Sequence, residues 1–243
     1  MTEKSASDIA KEAAARAAVA MVEDGMRLGL GTGSTAVFMV RLLAERARNE
    51  GLRLRCAATS QATADLAESL GLKIEGLDDI GWLDLTIDGA DEVDPDLNLI
   101  KGGGGALLRE KIVARASDRM IVIADQGKVV ETLGLFHLPV EVIPFGWETT
   151  CTLIKRVLDA HDLASRPVLL RKRDDAPYRT DEGNLILDLA LEQICEPARL
   201  AQALNELPGV VENGLFLNIC QLALIGRHDG EVVELRREVE DEL

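Results

Sequence analysis

The strongest constraint on this chain is a rhythm in its first half. Short, nearly continuous apolar runs alternate with helical stretches. A helical stretch over about 8–23 leads into the run MRLGLG, followed by glycines and the helical pattern AVFMVRLLAERARNE. Then come RLRCAAT, the helical ATADLAESLG, a short strand around Lys73–Glu75 and the run LDLTID. A loop, the helical ALLREKIVARAS and the run MIVIAD complete the series. Strands apolar on both faces must be covered on both, and helices flanking a largely parallel sheet do that. The first half therefore predicts an α/β fold with a Rossmann-like sheet.

From about Leu135 the rhythm changes. LPVEVIPF reads as a strand, WETTCTLIKRVLDAH as a helix, RPVLLRK and NLILDLAL as strands, EPARLAQALNELP as a helix and GVVENGLFL as a last strand. That β-α-β-β-α-β order predicts a smaller ferredoxin-like α+β domain. The polar tract RDDAPYRTDEGN is its hairpin connection. CQLALIG and EVVELRR look like two strands rejoining the first sheet. The predicted division is a catalytic domain over 1–135 plus 217–243 and a smaller domain over 136–216. A length of 243 residues suits it, being long for one compact domain and short for two full-sized ones. The acidic end, REVEDEL, is expected to be a solvated tail.

Charge narrows the partners. Forty-two acids against twenty-seven bases leave a formal charge of −15, a field that repels phosphate backbones. Aromatics at 3% leave no stacking platform for single strands, so no nucleic-acid partner is expected. No apolar stretch is long enough to span a membrane. The alanine-rich start is interrupted by Arg16 and flanked by acids, unlike a secretory signal. Cys56, Cys151, Cys195 and Cys220 are scattered, and His137, His161 and His228 show no ligand spacing. Buried, reduced thiols in a cytoplasmic protein are expected, with no zinc site.

Three loops carry the chemistry. In GLGTGSTA (29–36), Gly31 and Gly33 allow a sharp turn, and Ser34 and Thr35 sit where a helix start leaves N–H groups free, which makes an anion cradle. The same residues fit a dinucleotide fingerprint, but the following strand runs into Thr59 and Ser60 rather than an acid for the ribose hydroxyls. In IDGADEVD (87–94), Asp88 and Asp91 stand at a strand end, where α/β sheets open their ligand crevice, with Gly89 and Ala90 leaving the loop unobstructed. Magnesium is a rival reading of that pair. Glu92 and Asp94 read as solvated turn acids. In NLIKGGGGALLREK (98–111), four glycines suit a backbone that approaches a ligand closely. Lys101, the amides and Glu110 are the parts needed to stabilise an oxyanion while a proton moves. Glu110 reads equally as an exposed helix acid.

GTGST, DGADE, IKGGGGALLRE, IADQGK, LPVEVIP, GNLILDL and LPGVVENGLF stand in an order that closely resembles the type A ribose-5-phosphate isomerases. The resemblance runs from about Lys11 to about Gly226. GGGGALLRE departs from the more frequent GGGAALTRE of that family. The resemblance implies a two-domain α/β enzyme, commonly dimeric or larger, interconverting ribose 5-phosphate and ribulose 5-phosphate without cofactor or metal in the non-oxidative pentose phosphate pathway. By motif it implies that Thr32, Gly33, Ser34 and Thr35 bind the sugar phosphate, with Asp88, Gly89, Ala90 and Asp91 from DGADE. Lys101, Gly102, Gly103 and Gly104 would follow from IKGGGG, Glu110 would be the base, and Lys128 and Lys11 would reach the substrate.

The residues agree with that chemistry. One carboxylate can take the C2 proton and return it to C1, so no histidine is required. Ring opening needs a further acid–base group, for which Asp88 or Asp91 is available. The rivals are an amino-sugar-phosphate deaminase, a coenzyme A transferase, a nicotinamide-dependent dehydrogenase and a sugar-phosphate sensor. A deaminase would want a histidine near its acids. A sensor would need a DNA-binding module, and only about twenty-five residues precede the first strand.

Overall fold

The computed structural model describes residues 4–237. Helix α1 (Ala6–Ala20) starts at Ser5, whose hydroxyl accepts from the Asp8 amide at 3.1 Å. Its alanines at 10, 14, 15 and 18 are fully buried, which lets the helix sit close against its neighbours. Strand β1 (Arg27–Leu30) feeds α2 (Ser34–Glu50), which ends on Gly51 in the left-handed conformation. Next come β2 (Arg55–Ala58), α3 (Gln61–Ser69), the single turn α4 (Leu77–Ile80) and β3 (Leu85–Gly89). Two-residue strands β4 (Glu92–Val93) and β5 (Leu99–Ile100) precede α5 (Leu107–Arg115) and β6 (Met120–Asp125).

The second half runs β7 (Leu138–Val142), α6 (Trp147–Ala160), β8 (Val168–Leu170), β9 (Lys172–Arg173), β10 (Ala176–Pro177), β11 (Leu185–Leu189), α7 (Pro197–Asn205) and β12 (Val210–Asn213). It closes with β13 (Leu215–Phe216), β14 (Leu222–Gly226) and β15 (Val232–Arg236).

The principal sheet has six strands in the order β2-β1-β3-β6-β14-β15, parallel except for β15. This is the mixed α/β fold with a largely parallel sheet that the alternating runs predict. Side chains leave β6 alternately to two cores. Ile121 and Ile123 join Leu28, Leu30 and the apolar faces of α1 and α2. Val122 and Ala124 join Val93, Leu99 and Phe216 on the other side. The second sheet, β12-β7-β11-β8, is antiparallel, and α6 and α7 cover one face through Ile154, Leu158, Leu200 and Leu204. No helix among the described residues is long and apolar enough to cross a membrane.

Several local expectations are corrected. The strand around Lys73–Glu75 is a single bridge between Ile74 and Cys56, because Gly76 immediately turns the chain into α4. GVVENGLFL is two strands in different sheets. Its Gly214 N–H donates to the Pro139 carbonyl (2.8 Å) and its carbonyl accepts from the Lys101 N–H (2.9 Å), so this residue joins β7 to the site loop. β13 then pairs with β5 in a three-stranded sheet, β13-β5-β4, whose strands are too short to show a period in sequence. All four cysteines are free, but Cys195 is exposed in the turn before α7 and Cys151 is only half-buried. Most of the acidic end, 238–243, lies outside the described residues.

Candidate active site

The three loops meet at the carboxyl ends of the parallel strands. Gly31 follows β1, and a Cβ there would collide with the side chain of Asp88 at the end of β3. Its absence brings the Thr32 N–H to Asp88 Oδ1 at 3.0 Å, and the Gly89 N–H donates to the same oxygen at 2.7 Å. The Thr32 hydroxyl sits among three others: it donates to Ser60 Oγ (2.7 Å) and lies 2.7 Å from Thr59 Oγ1 and 3.1 Å from Thr63 Oγ1. Thr63 in turn donates to the Gly31 carbonyl at 3.0 Å. The hydroxyls at the end of β2 thus hold the turn that opens α2, and Ser34 and Thr35 form its first turn.

Lys101 follows β5 and is 1% exposed. Its Nζ donates to the Gly89 carbonyl at 2.6 Å and stands 3.0 Å from Asp88 Oδ2 and 3.1 Å from Glu110 Oε1. An ammonium has three hydrogens. Two are taken by the Gly89 carbonyl and Glu110 Oε1, while Asp88 Oδ2 lies at ion-pair distance and has no hydrogen-bond partner among the described residues. The ring of Phe216 closes the site beneath it, 5.5 Å from Nζ to the centroid. Glu110 lies in the first turn of α5 and is 4% exposed, and its Oε2 has no hydrogen-bond partner among the described residues.

Two carboxylates and one ammonium in a dry site leave one negative charge in surplus. Burial pushes the Glu110 carboxyl up to about 8, against the pull of Lys101 and with Asp88 adding to the rise. Burial raises Asp88 as well. Burial alone would lower Lys101, but Asp88 and Glu110 together hold its ammonium above the ordinary range.

A cavity opens in front of this centre. Its walls are Thr32, Gly33, Ser34 and Thr35; Gly89, Ala90 and Asp91; Lys101, Gly102, Gly103 and Gly104; and Glu110, with Lys11 from α1 and Lys128 after β6. The structure thus gathers the expected residues around one space, with one exception. Asp88 is fully buried behind the wall, sealed by Lys101 and two amides, and does not line the cavity. Asp91 does, and its Oδ2 accepts from the Gly103 N–H at 2.7 Å.

Two acids expected in solvent are buried instead. Glu92 accepts from the backbone N–H groups of Gly134 (2.7 Å) and Phe136 (2.5 Å), anchoring a distant loop. Asp94 accepts from the backbone and side chain of Asn98. No group of three or more His, Cys, Asp or Glu is arranged to hold a metal ion among the described residues.

Residues outside the three loops also take part. Arg171, in the run RPVLLRK read as a strand, and Tyr178, in the tract read only as a hairpin connection, reach the glycine-loop carbonyls. Tyr178 is the chain's one tyrosine and stands within an otherwise polar tract, the only sequence signal it offered.

Fold and cavity define a class: an α/β enzyme with a sealed carboxylate–lysine centre opening onto a cationic, amide-lined cavity at its strand ends. Comparison with known proteins gives the family. The family model described as ribose 5-phosphate isomerase A (phosphoriboisomerase A) matches residues 55–230. The ribose-5-phosphate isomerase A of Jannaschia sp. strain CCS1 is 62% identical over 225 residues, 93% of this chain and 86% of that protein. A solved ribose 5-phosphate isomerase from Plasmodium falciparum superposes with a TM-score of 0.90 at 35% identity, covering 96% of this chain and 100% of that one. A D-ribose-5-phosphate isomerase solved in complex with phospho-erythronic acid gives 0.87 at 37% identity, covering 95% and 98%. The chain belongs to the ribose 5-phosphate isomerase A family, a family of isomerases.

Proposed function

We propose that this chain interconverts D-ribose 5-phosphate and D-ribulose 5-phosphate through a cis-enediolate, with Glu110 as the proton shuttle. The observation that carries this reading is the unpartnered Glu110 Oε2, buried beside Lys101 at the wall of the cavity. Deprotonated Glu110 takes the C2 proton of the open-chain aldose, and the electrons pass to the C1 oxygen. The hydroxyl proton then passes from O2 to O1, and return of the carbon-bound proton from Glu110 to C1 leaves the carbonyl at C2. The developing oxyanions meet glycine amides and the field of Lys101. Lys101 gives two of its hydrogens to the Gly89 carbonyl and Glu110, so its charge and its third hydrogen are what it offers a substrate oxygen. Asp91 rather than the sealed Asp88 serves ring opening, since it lines the cavity. Ser34, Thr35, Lys11 and Lys128 supply donors and positive charge for the phosphate. The phospho-erythronic acid bound by the solved relative supports a phosphorylated sugar ligand here.

The reaction belongs to the non-oxidative pentose phosphate pathway. The chain works as two units, 1–135 with 217–243 and 136–216, a division supported by the separate six- and four-stranded sheets. It is a cytoplasmic homodimer or larger homo-oligomer. The exposed thiol of Cys195 suits a reducing compartment, and the exposed side chains of Phe145 and Leu135 suit burial against another copy.

The test is conversion of ribose 5-phosphate by the purified protein and its Glu110→Gln variant. Glutamine keeps the shape but cannot accept the proton. Turnover should fall by at least about 10²–10⁴-fold in a folded variant. Wild type should exchange solvent deuterium into the reacting carbon, and the variant should not. A folded variant keeping more than roughly a tenth of wild-type kcat rules Glu110 out as the base.

A further inference from the structure

We propose that Arg171, on the second sheet's hairpin, is a positioning residue for the isomerisation that acts through the backbone carbonyls of the glycine loop. The inference rests on the reading above of that loop as the cradle of the reacting sugar.

Arg171 follows β8 and divides its guanidinium between two tasks. Nε and Nη2 donate to Asp188 Oδ2 (2.9 Å) and Oδ1 (2.5 Å), a fork on a carboxylate carried by β11. Nη1 donates to the carbonyls of Gly102 (2.8 Å) and Gly103 (3.2 Å). Both side chains are largely buried, 15% and 16% exposed, so the pair is not a solvent-screened surface contact. Directly across the hairpin, where the Tyr178 N–H donates to the Arg171 carbonyl at 2.9 Å, the Tyr178 hydroxyl donates to the Gly104 carbonyl at 3.3 Å. Tyr178 also covers Gly105, where any Cβ would collide with it. Three successive glycine carbonyls are therefore tied to one hairpin.

The consequence follows from peptide geometry. In a trans peptide the carbonyl and the next N–H point in opposite directions. Drawing the Gly102 and Gly103 carbonyls toward Arg171 turns the N–H groups of Gly103 and Gly104 the other way. The first of these meets Asp91 Oδ2 at 2.7 Å, and both residues line the cavity. The 102–103 peptide thus lies between a guanidinium on its oxygen and a carboxylate on its hydrogen, which sets its orientation and increases its polarity. Glycines have no side chains of their own to hold a conformation and lose more freedom on ordering than other residues. The tether has to come from outside, and Arg171 supplies it without touching substrate.

Steady-state kinetics on Arg171→Ala and Arg171→Lys, beside Glu110→Gln, test this. Loss of preorganised donors should lower kcat of Arg171→Ala by about 10²-fold, with KM changed less than about threefold, because the lost contacts matter most when charge develops. Millimolar guanidinium chloride should restore much of that kcat in a saturable manner, while equal sodium chloride should not. Arg171→Lys, whose single nitrogen cannot serve the carboxylate and both carbonyls, should fall between wild type and Ala. The proposal is overturned if folded Arg171→Ala keeps kcat within about twofold of wild type, or if its loss matches the unfolded fraction and ignores guanidinium. If Arg171→Ala does not fold, Arg171→Lys decides, and wild-type kcat in that variant overturns the proposal. Near-wild-type turnover by Glu110→Gln would instead remove the functional reading, and this inference with it.

Discussion

Lys101 Nζ and Glu110 Oε1 lie 3.1 Å apart, with 2% and 5% of their side chains exposed. The same ammonium also faces Asp88, so the Glu110 charge is only partly compensated. A carboxylate in that position holds its proton more tightly than one in water, and this sets how the site answers to pH, to loss of the lysine and to metal removal.

The pH profile carries a definite sign. Glu110 must be deprotonated to accept the C2 proton, and burial pushes it up to about 8. kcat/KM should therefore rise with pH and level off near that value, since it reports the free enzyme's groups. Stability runs the opposite way. The folded state keeps a proton that the unfolded carboxylate releases near 4.5, so this contribution is full below about 4.5 and lost as pH rises through about 8. Thermal unfolding of wild type and Glu110→Gln across this range should show a steeper decline for wild type. Parallel curves would contradict the assignment.

Replacing Lys101 with methionine keeps the stem and removes the cation from two buried carboxylates. Breaking a buried pair in this way costs about 3–5 kcal/mol. Urea unfolding at pH 8 should show a loss of that size, and the loss should shrink at pH 5, where the carboxylates take up protons. An equal loss at both values would mean that charge is not what Lys101 contributes. Activity should fall in either case.

Glu92 gives the complementary prediction, a buried acid with no place in the chemistry. Glu92→Ala leaves the N–H groups of Gly134 and Phe136 without their acceptor. A buried donor stranded in this way costs about 1–3 kcal/mol. The midpoint of unfolding should drop while kcat at 25 °C stays near wild type. A large fall in kcat with unchanged stability would place Glu92 in the site.

Activity should survive exhaustive chelation, because amides and Lys101 already meet the charge of the proposed intermediate. Dialysis against a chelator followed by assay in metal-free buffer checks this. Loss of turnover with rescue by magnesium or manganese would return Asp91 to the role of a metal ligand.

The parts of the site readable in sequence were those encoded locally. GTGST and DGADE each stand at the end of a strand of the parallel sheet, and α/β topology brings such ends to one crevice. IKGGGG follows β5 of the separate three-stranded sheet and was legible through its glycines alone. Asp88 and Asp91 look equivalent along the chain, three residues apart at one strand end. In the fold one is sealed beneath Thr32 and Lys101, and the other faces the cavity. Glu92 and Asp94 look like turn acids because their partners, at 134, 136 and 98, do not reveal themselves through periodicity.

The sequence by itself determined the alternation that makes the parallel sheet, the glycines that let backbone approach a ligand, and the chemistry set out at the strand ends. Only the tertiary structure decided which of those groups are dry. The proton affinity of Glu110 depends on how much water is excluded around it, and Lys101 and Asp88, whose charges act on it, come from other elements. The tether on the glycine loop comes from Arg171, 69 residues beyond Gly102. Desolvation and long-range hydrogen bonding are properties of the packed space around a residue, and that space is assembled from segments far apart in the chain.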